Sequence, residues 1–416
     1  MSDIPGDTLR DSTLAFVQEG YEFIRERCDR YRSPVFVTRL FFQQTICMRG
    51  AAAAEIFYDE SRFIREGAAP ERMLGVLLGK GGVQGLDGEA HRVRKAMFMR
   101  VVEPAHRHAL VQRFSHAWEA ALPRWSRMRR VPLLQEVERL LFSVACEWAG
   151  VPLPGPREQR RRSRQMASLI DGGGRVDPRY LKARFDRKAA ERWAIRQVRA
   201  YRDGQLSAQG DRALALIADH RDADGQPLDE QVAAVELLNV IRPTVAVARF
   251  ITFAAMELDR HPEWKPRLQA DEGWVRPFTQ EVRRLYAFFP ATAARVREDF
   301  EWNGYHFAKG TRTLLDLFGS NRDLEQWERP EAFLPQRFRE DPTREEALLT
   351  QGGGTYASHH RCPGEQLTIE LIDTALRLMV GNMDYRVSQK AQKVSHSRMP
   401  MLPADGVAFA SVRVRH

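Results

Sequence analysis

Residues 352–365 read Gly-Gly-Gly-Thr-Tyr-Ala-Ser-His-His-Arg-Cys-Pro-Gly-Glu, a glycine-rich loop that delivers one cysteine to the start of a helix. Three glycines let the backbone lie close against a flat group, and the amides of a helix start stabilise a thiolate at Cys362. A thiolate so placed has the chemistry to ligate haem iron and push electron density onto it. Read alone, the same cysteine is as readily a buried structural thiol, since free cysteines are among the most buried residues.

Working back from this loop, the Pro-rich stretch 321–338 (NRDLEQWERPEAFLPQRF) comes first. Before it stands Glu281-x-x-Arg284, an acid and a base one helical turn apart and about 80 residues ahead of Cys362. Further back, residues 229–259 form an almost unbroken apolar helix of about 31 residues, about 46 Å at 1.5 Å per residue. Two local rules break in its middle at Arg242-Pro243, where proline removes a backbone donor and a buried guanidinium needs a partner. Helical periodicity also predicts helices over 8–31, 111–124, 133–148, 179–208 and from 364 to about 383. Short β-branched or aromatic runs at 35–40, 45–48, 295–296, 305–307 and 313–317 suffice for a small sheet. The predicted architecture is mainly α, with a long central helix, a small β-sheet region and a single domain over 1–416.

The bulk numbers exclude several classes. The chain has 416 residues, 43% hydrophobic and 29% charged, as water-soluble folded proteins do. Lys and Arg exceed Asp and Glu by 64 to 55, a diffuse +9 whose densest run, 157–164 (REQRRRSR), lacks interleaved aromatics and reads as a solvated face rather than a nucleic-acid site. Residues 1–11 carry three acids and no apolar block, predicting neither signal peptide nor membrane anchor and a cytoplasmic protein. Cys28, Cys47, Cys146 and Cys362 share no close spacing, which argues against a zinc site or a disulfide framework.

Four stretches in order, GGVQGLDGEAHRVRKAMF (81–98), VELLNVIRPTVAVARFITFAA (235–255), QEVRRLY (280–286) and HRCPGE (360–365), resemble the bacterial fatty-acid peroxygenase branch of the cytochrome P-450 superfamily, over nearly the whole chain. The resemblance implies haem b held by Cys362, hydrogen peroxide as co-substrate, fatty acid as substrate, no obligatory reductase and a structural Glu281–Arg284 pair. It makes His91, Lys95, Arg65, Arg295 and His360 haem-contacting residues, and Leu78, Phe288 and Phe289 the lining of an acyl tunnel. The bland alternatives are a solvent-facing helical histidine, surface arginines and ordinary core packing.

Where other members of the superfamily carry an acid-alcohol pair that relays protons, this chain has Arg242-Pro243, and neither residue relays a proton at neutral pH. Thr244 is a candidate substitute, but lies about 100° further round the helix. A substrate carboxylate paired bidentately with Arg242 can supply the missing acid-base, which directs attack to Cα or Cβ. Gln84 stands where decarboxylating relatives carry histidine and has no titratable proton, so hydroxylation is expected, with decarboxylation to an alkene as a minor outcome. The chain departs from the branch at His359, commonly glycine, and at Arg249, commonly uncharged, which pairs with a haem propionate or an acid, or competes for substrate. The rival readings are a monooxygenase fed by redox partners and a non-catalytic haem or fatty-acid binder.

Overall fold

Asp229 opens the central helix by accepting a hydrogen bond from the Gln231 N–H at 2.8 Å, an N-cap that satisfies one of the orphan donors of the first turn. From there helices Glu230–Ala246 and Ala248–Arg260 run end to end through the one turn residue Val247. By length and composition this 31-residue stretch is apolar enough to cross a membrane, yet 94% of its apolar window is buried inside the fold. Helices Leu133–Ala149, Pro156–Gly172 and Arg179–Arg202 pack around its first half. The last helix, Glu365–Gly381, packs against Ala248–Arg260, Val275–Leu285 and Pro104–Trp125. The computed structural model describes residues 4–7, 9–153, 155–174, 177–208, 210–388 and 393–415.

Beside the helices lies a five-stranded sheet in the order Val35–Leu40, Gln43–Met48, Arg312–Asp316, Ala291–Val296 and Phe63–Ile64. Gln43–Met48 and Arg312–Asp316 run parallel, Thr45 opposite Arg312, and the other pairs are antiparallel. Two smaller sheets join Val131–Pro132, Ala408–Val414 and Met383–Val387, and Phe300–Trp302 with Tyr305–Phe307. All five runs expected as strands fall on strands, except that the run 313–317 ends at Asp316 and Leu317 opens a short helix.

Several expected helix boundaries need correction. The stretch expected as one helix over 8–31 is two, Thr13–Glu19 and Glu22–Tyr31, and residue 8 lies outside the described residues. Gly20 breaks it at φ +61°, pressed so close to the His396 carbonyl that an added Cβ would stand 2.1 Å from its oxygen. The helix expected to reach 208 stops at Arg202, with Gly204 in the left-handed region at φ +70° just beyond. The helices Ala51–Phe57, Gly88–Val101 and Pro156–Gly172 escaped the periodicity reading.

Candidate active site

The cysteine loop is pinned from three sides. The Cys362 N–H donates to the Gln351 carbonyl at 2.9 Å, and the Glu365 N–H donates to the Cys362 carbonyl at 3.2 Å. Glu365, buried, accepts from Arg283 and from Arg361, and Arg283 also donates to Thr350 at 2.9 Å, so the helix start that carries the cysteine is anchored to the helix Val275–Leu285. At Gly353 an added Cβ would stand 2.8 Å from the Tyr58 ring, so close approach is what that glycine provides. His359, where the branch commonly has glycine, accepts the Thr355 N–H on Nδ1 at 3.1 Å and packs where a Cβ on Gly354 would be, so the loop closes with the histidine in place.

Burial pushes the Cys362 thiol above its ordinary range, against the Gly364 N–H, Lys95 and the Gln351 side chain, which favour the thiolate. The dipole at the helix start is thus outweighed by desolvation, and a bound cation is what would take the place of the proton. A cluster of basic residues stands beside the loop. His91 and His360 stack with ring centroids 3.8 Å apart, and Lys95 donates to the Arg361 carbonyl. Burial and Lys95 lower His91 to about 4, burial and Arg65 lower His360, and burial lowers Lys95 to about 8. Arg65 is buried over the Phe57 ring at 4.4 Å and donates to the Phe57 carbonyl at 3.2 Å. Arg295 is spent on the Gly67 and Gly310 carbonyls at 2.8 and 2.9 Å. The Nδ1 of His91 is buried without a partner. One thiol, an orphaned imidazole nitrogen and several cations in one place suit an iron porphyrin with acidic side arms.

Arg242 lies inside the fold, 5% exposed, near enough to Cys362 to feel its charge. Its one hydrogen bond among the described residues runs from Nη2 to the Asn239 Oδ1 at 3.0 Å, and its Nε is buried with no partner. Burial, aided by Arg187, lowers the guanidinium to about 9, so the charged form is held at a cost that an anionic ligand would relieve. Asn239 Nδ2 donates to the Glu236 Oε2 at 2.8 Å and reaches the Gln84 Oε1 at 3.4 Å. Glu236, 0% exposed, also accepts from Arg94 at 2.7 Å and from the Val83 N–H at 2.8 Å, and Arg94 continues to Asp222 at 2.9 Å near the rim. An unbroken polar row therefore links Arg242 to the surface. Thr244, the other candidate proton carrier, donates its hydroxyl to the Val240 carbonyl one turn back at 2.9 Å.

Leu78 sits half-buried in a π-helical turn, Leu74–Leu78. Phe288 and Phe289 are half-buried and contact edge-to-face at 4.8 Å. Glu281 and Arg284 are fully buried and bonded bidentately at 2.7 and 2.8 Å; Arg284 also donates to the Asn321, Pro330 and Ala332 carbonyls, tying the pair to the Pro-rich stretch. Arg249 finds acids: Glu138 at 3.3 Å and Asp171 at 2.6 Å. Sequence reasoning missed Asn239, Glu236, Arg94 and Arg187. A polar residue every third position of an apolar helix, 236, 239 and 242, was the available signal for the first two.

A single cysteine at a helix start, a cationic cluster beside it and a long helix carrying a cation above it define a haem-thiolate oxidoreductase, and haem is the cofactor that this fold implies. The sequence model of the cytochrome P-450 family matches residues 275–407. The solved structure of cytochrome P-450SP alpha in complex with (R)-ibuprophen is 41% identical, covers 97% of this chain and 99% of that one, and superposes with a TM-score of 0.94. Wild-type cytochrome P-450EX alpha with myristic acid is 36% identical, covers 100% of both chains and has a TM-score of 0.96. A more distant relative, dimethylnonatriene synthase of Arabidopsis thaliana, is 28% identical over 140 residues, and the chain spans only 26% of its length. The chain belongs to the cytochrome P-450 family, on its peroxygenase branch.

Proposed function

We propose that this enzyme is a fatty-acid peroxygenase that hydroxylates its substrate at Cα or Cβ with hydrogen peroxide, works without a reductase, and holds the substrate carboxylate on Arg242. The observation that carries the reading is a buried guanidinium beside Cys362 with a partnerless Nε and one neutral hydrogen-bond partner. Buried charges are normally paired, so this cation calls for an anion, and a carboxylate matches its fork bidentately. The myristic acid bound by cytochrome P-450EX alpha supports that choice.

In this reading Cys362 would hold the haem iron, and His91, Lys95, Arg65 and His360 would partner its acidic side arms, with Arg295, already bonded to the Gly67 and Gly310 carbonyls, a further candidate. Haem so bound supplies the centre at which peroxide oxygen is activated. Arg242 fixes the carboxylate, Asn239 fixes Arg242, and the carboxylate oxygen accepts a proton from hydrogen peroxide and gives it back to the departing hydroxide as water. Pro243 offers no N–H and Thr244 is engaged with its own helix, so neither competes for that proton. Held head-first, the acid presents its Cα and Cβ, with Leu78, Phe288 and Phe289 along the chain. Gln84, which accepts from the Asn239 amide at 3.4 Å, has no titratable proton to give, which favours hydroxylation over decarboxylation. The whole of 1–416 is read as one catalytic domain working in the cytoplasm.

The test is Arg242→Ala in the haem-loaded protein, supplied with a mid-length fatty acid and peroxide alone. The expected result is a retained reduced carbon-monoxide band and lost product. Full product from the variant would remove the clamp; product from wild type only with reductant and dioxygen would make it a redox-partner monooxygenase; tight binding without product would make it a carrier.

A further inference from the structure

Residues 156–202 contain fifteen lysines and arginines against five aspartates and glutamates, a net +10, while the whole chain carries +9. The remaining 369 residues together therefore carry −1, so the excess expected to be diffuse is instead gathered in this one segment. The segment folds as two packed helices, Pro156–Gly172 and Arg179–Arg202. Its charge faces outward: Arg160, Arg161 and Arg164 on the first helix and Lys182, Arg184 and Lys188 on the second are all exposed. The acids are mostly spent within the pair of helices, Glu158 on Arg161 and Arg162 at 2.7 Å each and Glu191 on Arg187 at 2.6 Å. Leu181 and Phe185, one turn apart on the second helix, are 56% and 72% exposed in the midst of these cations.

At the foot of the pair a cleft of about 830 Å³ is lined by Arg130, Arg164, Arg179, Lys182 and Arg398 with Leu134 and Leu402, a cationic excess over its three acids Glu138, Asp171 and Asp405. Nucleic acid would reward the cations and leave the apolar pair unsatisfied. A bilayer rewards both, because phosphate headgroups take the lysines and arginines while leucine and phenylalanine enter the acyl boundary.

We propose that this helical pair is a docking face for anionic lipid bilayers, distinct from the residues that carry the peroxygenase reading, and that it keeps the enzyme where fatty acids partition. The test is co-sedimentation of the holoenzyme with vesicles of phosphatidylglycerol and phosphatidylcholine, against phosphatidylcholine alone. Partition is expected only into the anionic vesicles, and high salt should release it. Leu181→Ser with Phe185→Ser should weaken partition roughly tenfold, and Lys182→Glu with Arg184→Glu and Lys188→Glu roughly a hundredfold. Both variants should keep wild-type haem spectra and turnover of dissolved fatty acid, so a folding defect is recognised at once and the docking claim fails or stands apart from the clamp. No partition into anionic vesicles, partition untouched by either variant, or retention on duplex DNA or an acidic protein in place of vesicles would overturn the proposal.

Discussion

Asn239→Ala is the most discriminating perturbation of the site, because it leaves every proposed contact to substrate and haem in place while removing the acceptor that aims Arg242, together with the amide's own donations to Glu236 and Gln84. In the structure the Asn239 Oδ1 is the one acceptor that Arg242 has among the described residues, at 3.0 Å, and the Nε has none. Losing a buried hydrogen bond to a charged group costs about 1.5–3 kcal/mol, equivalent to roughly ten- to a hundredfold. That cost falls on the pose of the guanidinium, since Glu236 keeps Arg94 at 2.7 Å and the Val83 N–H at 2.8 Å. Fatty-acid affinity should weaken by that factor and the rate at saturating acid should also fall, because a swinging guanidinium presents the carboxylate in many poses. Titrating a mid-length acid against the haem absorbance shift measures the first effect and peroxide-driven product formation the second. A variant that binds and turns over within twofold of wild type would refute the view that Arg242 is aimed through Asn239.

Other expectations follow from buried charges elsewhere. Glu281→Ala strands a fully buried Arg284, whose pair is 0% exposed on both sides, and should cost about 3–5 kcal/mol, read as a lower urea midpoint with loss of haem on purification. Burial lifts the Glu138 carboxyl from 4.5 to about 7 against the pull of Arg249. A carboxyl raised on folding holds its proton more tightly in the folded state, so its contribution is complete below 4.5 and is lost as pH climbs through about 7. Glu138→Gln cannot ionise, so its unfolding midpoint should fall less than that of wild type between about pH 5 and about pH 8. An equal fall in both proteins would show that the carboxyl is not raised.

What could be read from the sequence was whatever has a local signature. The loop before Cys362 announces itself through consecutive glycines, the central helix through its unbroken apolar run, and Glu281 with Arg284 through one-turn spacing that the bidentate contact realises at 2.7 and 2.8 Å. What could not be read depends on partners far along the chain. Arg249 was undecidable because its acids lie 111 and 78 residues away. Gly20 ends a helix only because the His396 carbonyl arrives beside it. Glu236 and Asn239 went unnoticed in an apolar helix because the groups they meet, Arg94, the Val83 N–H and Arg242, come from other turns and segments.

The row of polar groups beneath Arg242 also bears on how such a catalyst changes trade. Installing an acid and an alcohol at 242 and 243 would seat a second carboxyl about two turns from Glu236, whose one cationic partner among the described residues is Arg94, and would take away the guanidinium that donates to the Asn239 amide oxygen. Positions 84, 94, 236, 239 and 242, drawn from three segments, are joined by hydrogen bonds, so a change at 242 is felt along the row. Exchanging the chemistry at 242 therefore means resettling a row of interior partners rather than one side chain.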